Sequence, residues 1–529
     1  MIFDRIKPLD AILATAEKKG LHRSLGAFQL TMLGIGAVIG TGIFVLTSEA
    51  AQKAGPGMLL SFIVAGFVCG VAALCYSELA SMVPVAGSAY TYTYAVVGEL
   101  LAWMVGWALI LEYAVGASAV AVGWSNHAVG LFHGLGLDLP KALCNGDALI
   151  AKIQLAFGAT ATPDLIAATQ VGGYFNLPAV VISGLVTWLL IIGTTESARV
   201  NAVLVAIKIL ALTLFVALTL PVAHAENFKP FMPTGGSGVL GAAASIFFAY
   251  VGFDAVSTAA EETKNPQRNV PIGLIGSLLI CTIFYLLVAS GAIGAIGAQP
   301  VTATLGGGIL APGSAEMAGR CAAITAGGAI EPLVCSKEAL VHVLDTIGWP
   351  GIGRIVGLAA VLALPSVVLM MMFGQTRVFF TMARDGLLPK RLAAVHPKYK
   401  TPHVVTIVTG IGATLAAAVL PVGKLADYSN SGTLFAFMMV AISVMVLRKT
   451  DPDRKRPFRT PVVWIVAPLA IIGCIGLFVS LPMIAQLVLP VWGVIGLAIY
   501  FLYSRKRSYV GRGMMDGADD EADMTAVIH

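Results

Sequence analysis

Charge is what this sequence has least of. Asp, Glu, Lys and Arg make up 12% of its 529 residues, about half the ~25% of an ordinary globular protein. At this length a soluble chain forms about three domains, and so few charges do not clothe their surfaces. Intrinsic disorder is excluded as well, since it needs low hydrophobicity and high net charge, and 57% of the residues here are hydrophobic. The net charge of +5, spread over short loops, is too small to draw a polyanion, so no nucleic-acid partner is expected. Cysteine is scarce too. The seven cysteines show no CxxC or Cys/His spacing, which excludes a disulfide-framed secreted domain and gives no reason to expect a metal or cofactor. A cleavable signal is also missing: residues 1–25 are charged and amphipathic, and no processing site follows the first apolar run. With a mean hydropathy of +0.87, the chain reads as an all-α polytopic membrane protein.

The gaps between charges locate the spans, because a transmembrane helix needs roughly 20 apolar residues. Twelve fit, expected at 28–50, 57–82, 98–130, 176–195, 199–222, 238–260, 271–296, 350–384, 403–421, 428–447, 461–480 and 484–503; they are numbered α1 to α12 here. A Gly/Ala/Thr-rich loop is expected between α7 and α8. Twelve spans leave both termini on one side. That side collects 23 of the 33 Lys and Arg residues, the opposite side seven, and three lie within helices. Such an asymmetry places both termini in the cytoplasm of a cell whose inner membrane the chain spans. Cys69, Cys75, Cys281 and Cys474 fall inside spans as small apolar fillers. Cys144, Cys321 and Cys335 fall in outward loops, and Cys321 and Cys335 share one, where an oxidising compartment permits a disulfide. The acidic stretch 516–523 reads as a solvated end.

In hydrocarbon every backbone donor and acceptor needs a partner, so an interrupted helix is informative. Residues 34–42 of α1 hold four glycines in nine positions, each costing about 1 kcal/mol against alanine in a helix interior. Close helix packing is one reading; an unwound segment facing a polar ligand is the other. The second gains support from α6, where Gly252 and Asp254 interrupt a matching span. Interrupted helices at corresponding places in two halves point to a transport site near the midplane. Half-helix amides suit an anion and unwound carbonyls a cation. A zwitterionic amino acid needs both.

Five motifs carry a resemblance. The run 36–44, Gly-Ala-Val-Ile-Gly-Thr-Gly-Ile-Phe, and the segment 76–90 resemble the amino acid–polyamine–organocation superfamily. Leu111-Glu112-Tyr113, residues 248–262 with Lys264-Asn265-Pro266-Gln267-Arg268, and Gln375-Thr376-Arg377 leading to 383–389 resemble its cationic amino acid transporter family. The resemblance covers roughly residues 25–505. It implies a LeuT-like five-plus-five inverted repeat, with discontinuous α1 and α6, and no enzyme activity. Its parts are a cytoplasmic segment 1–25, repeats 26–222 and 238–447, two extra helices in 461–503, and a cytoplasmic tail 504–529.

By similarity, the substrate carboxylate meets the amides and hydroxyl around Gly40, Thr41 and Gly42, beside an unwound backbone with no room for a Cβ at Gly42. The ammonium meets the carbonyls of Val38, Phe248 and Val251, with Ile39 and Gly252 completing the break. The resemblance makes Phe248 an aromatic gate, for which ordinary core packing is the alternative; Tyr250 is a weaker pocket candidate. Met371 of α8, in a run of three methionines, is expected to line the pocket and favour small or medium neutral side chains.

Three buried charges stand out. Lys208 lies nine residues beyond Arg199, about 13 Å into the span at ~1.5 Å per residue. A lysine there costs at least ~2.5 kcal/mol on insertion scales, so it must be paired or neutral for part of the cycle. In proton-driven relatives an α5 lysine resembles a tethered replacement for the sodium ion that bridges α1 and α8, which implies proton coupling, with the proton as the only coupling ion. Glu112 of α3 reads as a proton-path or structural carboxylate, and Asp254 equally as a cap or a proton carrier. Glu78 is expected to serve gate packing, and Arg384, Asp385 and the run 454–456 to be solvated loop charges. His127 and His133 receive no role. The partners are an amino acid and membrane lipid, with a small single-helix accessory subunit left open. An obligate exchanger is the runner-up. A polytopic enzyme would need an acid cluster or a Ser/His or His/Glu set, and a channel would need a filter sequence; neither pattern is seen.

Overall fold

The computed structural model describes residues 5–9, 12, 25–83, 87–193, 198–260, 263–304, 306–328, 330–399 and 401–513. Most of the amphipathic N-terminal segment and all of the acidic stretch 516–523 lie outside the described residues. What is described is almost entirely helical. Among the described residues eight helices are long and apolar enough to cross a membrane, and four shorter apolar ones, Ala27–Val38, Leu177–Ile192, Gly235–Tyr250 and His403–Val419, accompany them. The burial pattern is that of a bundle in lipid. Polar residues such as Lys208, Glu112, Asp254 and Asn430 are buried, while Leu210, Ile472 and Met483 on the flanks of α5, α11 and α12 are exposed. A membrane face has no need of charge, and the interior collects the polar groups instead.

Two of the short helices are short because they are broken. The first span runs Ala27–Val38, resumes at Thr41–Phe44 and again at Leu46–Ala54; its halves are called α1a and α1b. The sixth runs Gly235–Ile246 (α6a), tightens into a 3-10 turn at Phe247–Tyr250, and resumes for one turn at Ala255–Thr258 (α6b). The others are α2 Met58–Met82, α3 Glu99–Gly134, α4 Leu177–Ile192, α5 Ala198–Thr219, α7 Pro266–Ile296, α8 Pro350–Arg384, α9 His403–Val419, α10 Val422–Thr450, α11 Val463–Ser480 and α12 Met483–Ile499. Long α3 packs against α8 and α10, α4 against α9, and α7 against α1a and α2.

The expected boundaries shift where proline overrides the charge count. α7 begins at Pro266, five residues before the expected start, since a proline at the first helical position loses no bond. Pro271 therefore sits inside the helix. α10 begins directly after Pro421, so Lys424 and Asp427 lie within it. The connections are more structured than expected. Ser88–Val96 follows α2, Asp147–Ala156 and Pro163–Val171 lie between α3 and α4, and Ala315–Ala326 and Ala339–Thr346 fill the Gly/Ala/Thr-rich loop. Ser314 starts Ala315–Ala326 as an N-cap, accepting from the Met317 amide at 3.1 Å. Cys321 and Cys335 are joined as a disulfide.

Candidate transport site

The two breaks lie against one another. Gly252 has φ +111°, in the left-handed region that favours glycine, and a Cβ built there would lie 3.1 Å from the Ala37 carbonyl. A Cβ on Gly42 would collide with the Cα and Cβ of Ala249. The crowding expected at Gly42 is therefore real, and the α6 backbone is what fills the space beside the unwound segment. All the expected site residues, Val38, Ile39, Gly40, Thr41, Gly42, Phe248, Tyr250, Val251, Gly252 and Met371, are buried.

Two carbonyls that lose their helical amide at the α1 break find a substitute. In an unbroken helix the Gly36 carbonyl would accept from Gly40. Here it accepts from Lys208 Nζ at 2.8 Å, a side chain with no solvent exposure. The Val38 carbonyl would accept from Gly42, and instead lies 2.8 Å from the Tyr285 hydroxyl of α7. That hydroxyl also stands 2.7 Å from the Ala249 carbonyl, so Tyr285 links both breaks. On the other side Asn430 of α10 donates to the carbonyls of Ala244 at 2.8 Å and Ser245 at 3.1 Å. Tyr285 and Asn430 were not singled out from sequence; a lone tyrosine in an apolar run and an asparagine among small residues were the only signals.

Around Thr41 and Phe248 the lining is polar on one side and apolar on the other. Thr41 Oγ1 is buried without a hydrogen-bond partner among the described residues and faces Gly123 of α3. Gly116, two turns earlier on α3, is where Phe248, Met371 and Ser429 converge. A Cβ there would lie 3.6 Å from the Phe248 ring, 3.7 Å from Met371 Sδ and 3.3 Å from Ser429 Oγ. Gly40 faces Val367 of α8. Tyr250 departs from this group: its hydroxyl donates to the Phe62 carbonyl at 3.0 Å, toward α2. The Phe248 carbonyl accepts from the Val251 amide at 3.2 Å, leaving one lone pair for a ligand.

Glu112 lies one turn from Gly116, and neither of its carboxylate oxygens has a hydrogen-bond partner among the described residues. Asp254 accepts from the Tyr113 hydroxyl at 2.7 Å. Toward one end of the bundle, Lys53 of α1b donates to Ser245 of α6a and to Asp427 of α10, the latter at 3.3 Å. Toward the other, Glu78 of α2 accepts from Arg448 of α10 at 2.7 and 2.8 Å, and from the Thr460 amide at 2.8 Å. Two loop charges expected to be solvated are not. Asp385 accepts from Lys7 and Tyr90 at 2.7 Å each, and Arg456, 7% exposed, lies 3.3 Å from Glu78. Loop position alone suggested solvation, but these loops fold back onto the helix ends. His127 is buried, 3.0 Å from Glu338 and edge-on to Phe44.

Removing the Tyr285 hydroxyl tests how far these substitutes hold the breaks together. Tyr285→Phe removes the one O–H donor that the Val38 and Ala249 carbonyls share, at about 1–3 kcal/mol for a buried unsatisfied group. A lower unfolding temperature of the detergent-solubilised protein is the expected outcome.

An apolar helical bundle with two interrupted helices back to back, and its polar groups gathered at the interruptions, defines a membrane transporter. The sequence matches the amino acid permease family over residues 25–502, and the chain belongs to that family, whose members are carriers and not enzymes. It is 45% identical over 507 residues to the branched-chain amino acid permease of Bacillus subtilis, covering 96% of this chain and 98% of the relative. It is 40% identical over 509 residues to the methylthioribose transporter of the same organism, covering 96% and 99%. A cationic amino acid transporter of Homo sapiens is 32% identical over 457 residues, covering 85% of this chain and 63% of the relative.

Proposed function

We propose that the chain imports neutral aliphatic amino acids across the cytoplasmic membrane by proton symport, with alternating access. The observation that carries this reading is the Lys208 ammonium on the Gly36 carbonyl at the α1 break. A proton carrier bonded to the backbone that shapes the site couples protonation to the path of α1. Protonated, Lys208 holds the substrate-ready form; deprotonated, it frees the Gly36 carbonyl and favours opening to the cytoplasm. Twelve spans in a five-plus-five inverted repeat, with both ends cytoplasmic, accord with the pairing of α3 with α8 and α4 with α9, since each pair joins equivalent members of the two sets. The substrate carboxylate lies at Gly40, Thr41 and Gly42, where the buried Thr41 hydroxyl lacks a partner among the described residues. The ammonium lies at the carbonyls of the two breaks.

Neutral substrates are favoured by Phe248 and Met371, which present a ring and a thioether toward Gly116. The branched-chain permease among its relatives agrees with that preference. Met371→Ser removes apolar volume from the pocket and should admit longer side chains, read as arginine or lysine competing with labelled leucine where they do not compete in the wild type. An unchanged profile removes Met371 from the pocket. The likeness to a methylthioribose transporter makes a second reading testable in one screen. Thermal shifts with the twenty amino acids and with methylthioribose should show stabilisation by leucine, isoleucine or valine, because a ligand that binds the folded state raises apparent stability. Stabilisation by methylthioribose alone would overturn the amino acid assignment.

A further inference from the structure

A cavity lies outside the breaks. It measures about 600 Å³ and is lined by α1b, the α3–α4 and α9–α10 connections, and the disulfide-tied helix Ala315–Ala326, within the ~300–1,000 Å³ typical of small-molecule sites. Its wall on α1b includes Glu49, seven residues beyond Gly42 and so about 10 Å further along the same helical path. The Lys53–Ser245–Asp427 cluster joins α1b, α6a and α10 one turn beyond Glu49.

Five charged side chains line this cavity: Glu49, Lys141, Asp147, Glu331 and Lys337. Asp147 and Lys337 pair across 3.1 Å, and Glu331 stands 3.9 Å from His342. Glu49 and Lys141 remain, with neither a hydrogen bond nor an ion pair to any of the described residues, and they do not pair with each other. The nearest cation along the helix from Glu49 is Lys53, one turn on, which is held by Ser245 and Asp427. The Glu49 carboxylate is wedged against Gly423 and Gly313, so its open side faces the cavity. A metal ion does not suit the site: no group of three His, Cys, Asp or Glu among the described residues is placed to hold one. One unpaired carboxylate and one unpaired ammonium in the same cavity suit a ligand that carries one charge of each sign.

We propose that this cavity is a vestibule that binds a zwitterionic amino acid, its ammonium at Glu49 and its carboxylate at Lys141, before the substrate passes to the breaks. The proposal rests on the reading of the chain as an amino acid transporter. In that scheme the Lys53–Asp427 contact closes the route inward while the vestibule is filled, and its opening lets the ligand follow α1b toward Gly42.

Equilibrium binding of tritiated L-leucine to the full-length protein in nanodiscs tests this. Two molecules per chain are expected for the wild type, and one for Glu49→Gln and for Lys141→Met. Lys141 is exposed, so its replacement leaves folding undisturbed and keeps the test independent of the buried wall. Gly42→Val, blocked at the break, should retain the vestibule molecule. One molecule bound by the wild type and by both vestibule variants alike would overturn the vestibule while leaving the transport reading in place. No leucine bound by the wild type would overturn both.

Discussion

Lys208→Ala should eliminate uptake driven by a pH gradient. The side chain is fully buried and its ammonium takes the Gly36 carbonyl at 2.8 Å. Alanine removes both the proposed proton carrier and a donor to that carbonyl, and leaves a buried acceptor without it, at a cost of about 1–3 kcal/mol. The α1 break then loses the restraint that distinguishes its protonated from its deprotonated form. Lys208→Arg is the more telling variant. A guanidinium does not deprotonate in proteins, so the restraint becomes permanent: the variant should bind leucine in a thermal-shift assay yet fail to accumulate it in proteoliposomes. Full accumulation by the alanine variant would sink proton coupling through this residue and move the assignment to an exchanger.

Gly42→Val should abolish binding at the breaks and, with it, uptake. The collision partner is the Cα of Ala249, part of the α6 backbone, and backbone does not swing aside as a side-chain tip does. Overpacking of this kind typically costs about 1–3 kcal/mol. Three kcal/mol corresponds to more than a hundredfold in an equilibrium constant. Relief requires α1b and α6 to part, which also displaces the Thr41 and Phe248 sides of the site. The expected result is a protein present in the membrane at normal amounts with uptake of labelled leucine below detection. Uptake near the wild-type level would show that the carboxylate does not sit at Gly40–Gly42.

The spans were legible because charge is so scarce. Each gap between charges in a sequence with 12% charged residues marks a helix to within a few residues. The exceptions have one cause. Pro266 and Pro421 start helices inside stretches that still carry charge, so counting charges placed α7 and α10 too late. Short helices such as Asp147–Ala156 and Ala315–Ala326 carry two charges each and are invisible to a search for uncharged runs.

The site was legible in its backbone and not in its braces. Glycines at 34–42 and at 252 announce interruptions, because nothing else tolerates the geometry or the closeness of two helices. Tyr285 is different. It meets Val38 from 247 residues away, and no local pattern reveals which carbonyl a distant hydroxyl will reach. The same holds for Asn430 and for Gly116, whose importance comes from what faces it. Asp385 and Arg456 were misjudged for the reverse reason: their loop positions suggest water, but Lys7, Tyr90 and Glu78 reach them.

A proton gradient alone should drive an amino acid uphill through this protein. Uptake of labelled L-leucine into proteoliposomes that contain no amino acid, under an inward proton gradient, measures it directly. The expected result is accumulation above the external concentration that collapses when a protonophore is added. Leucine entry only into vesicles preloaded with unlabelled amino acid, indifferent to the protonophore, would contradict it.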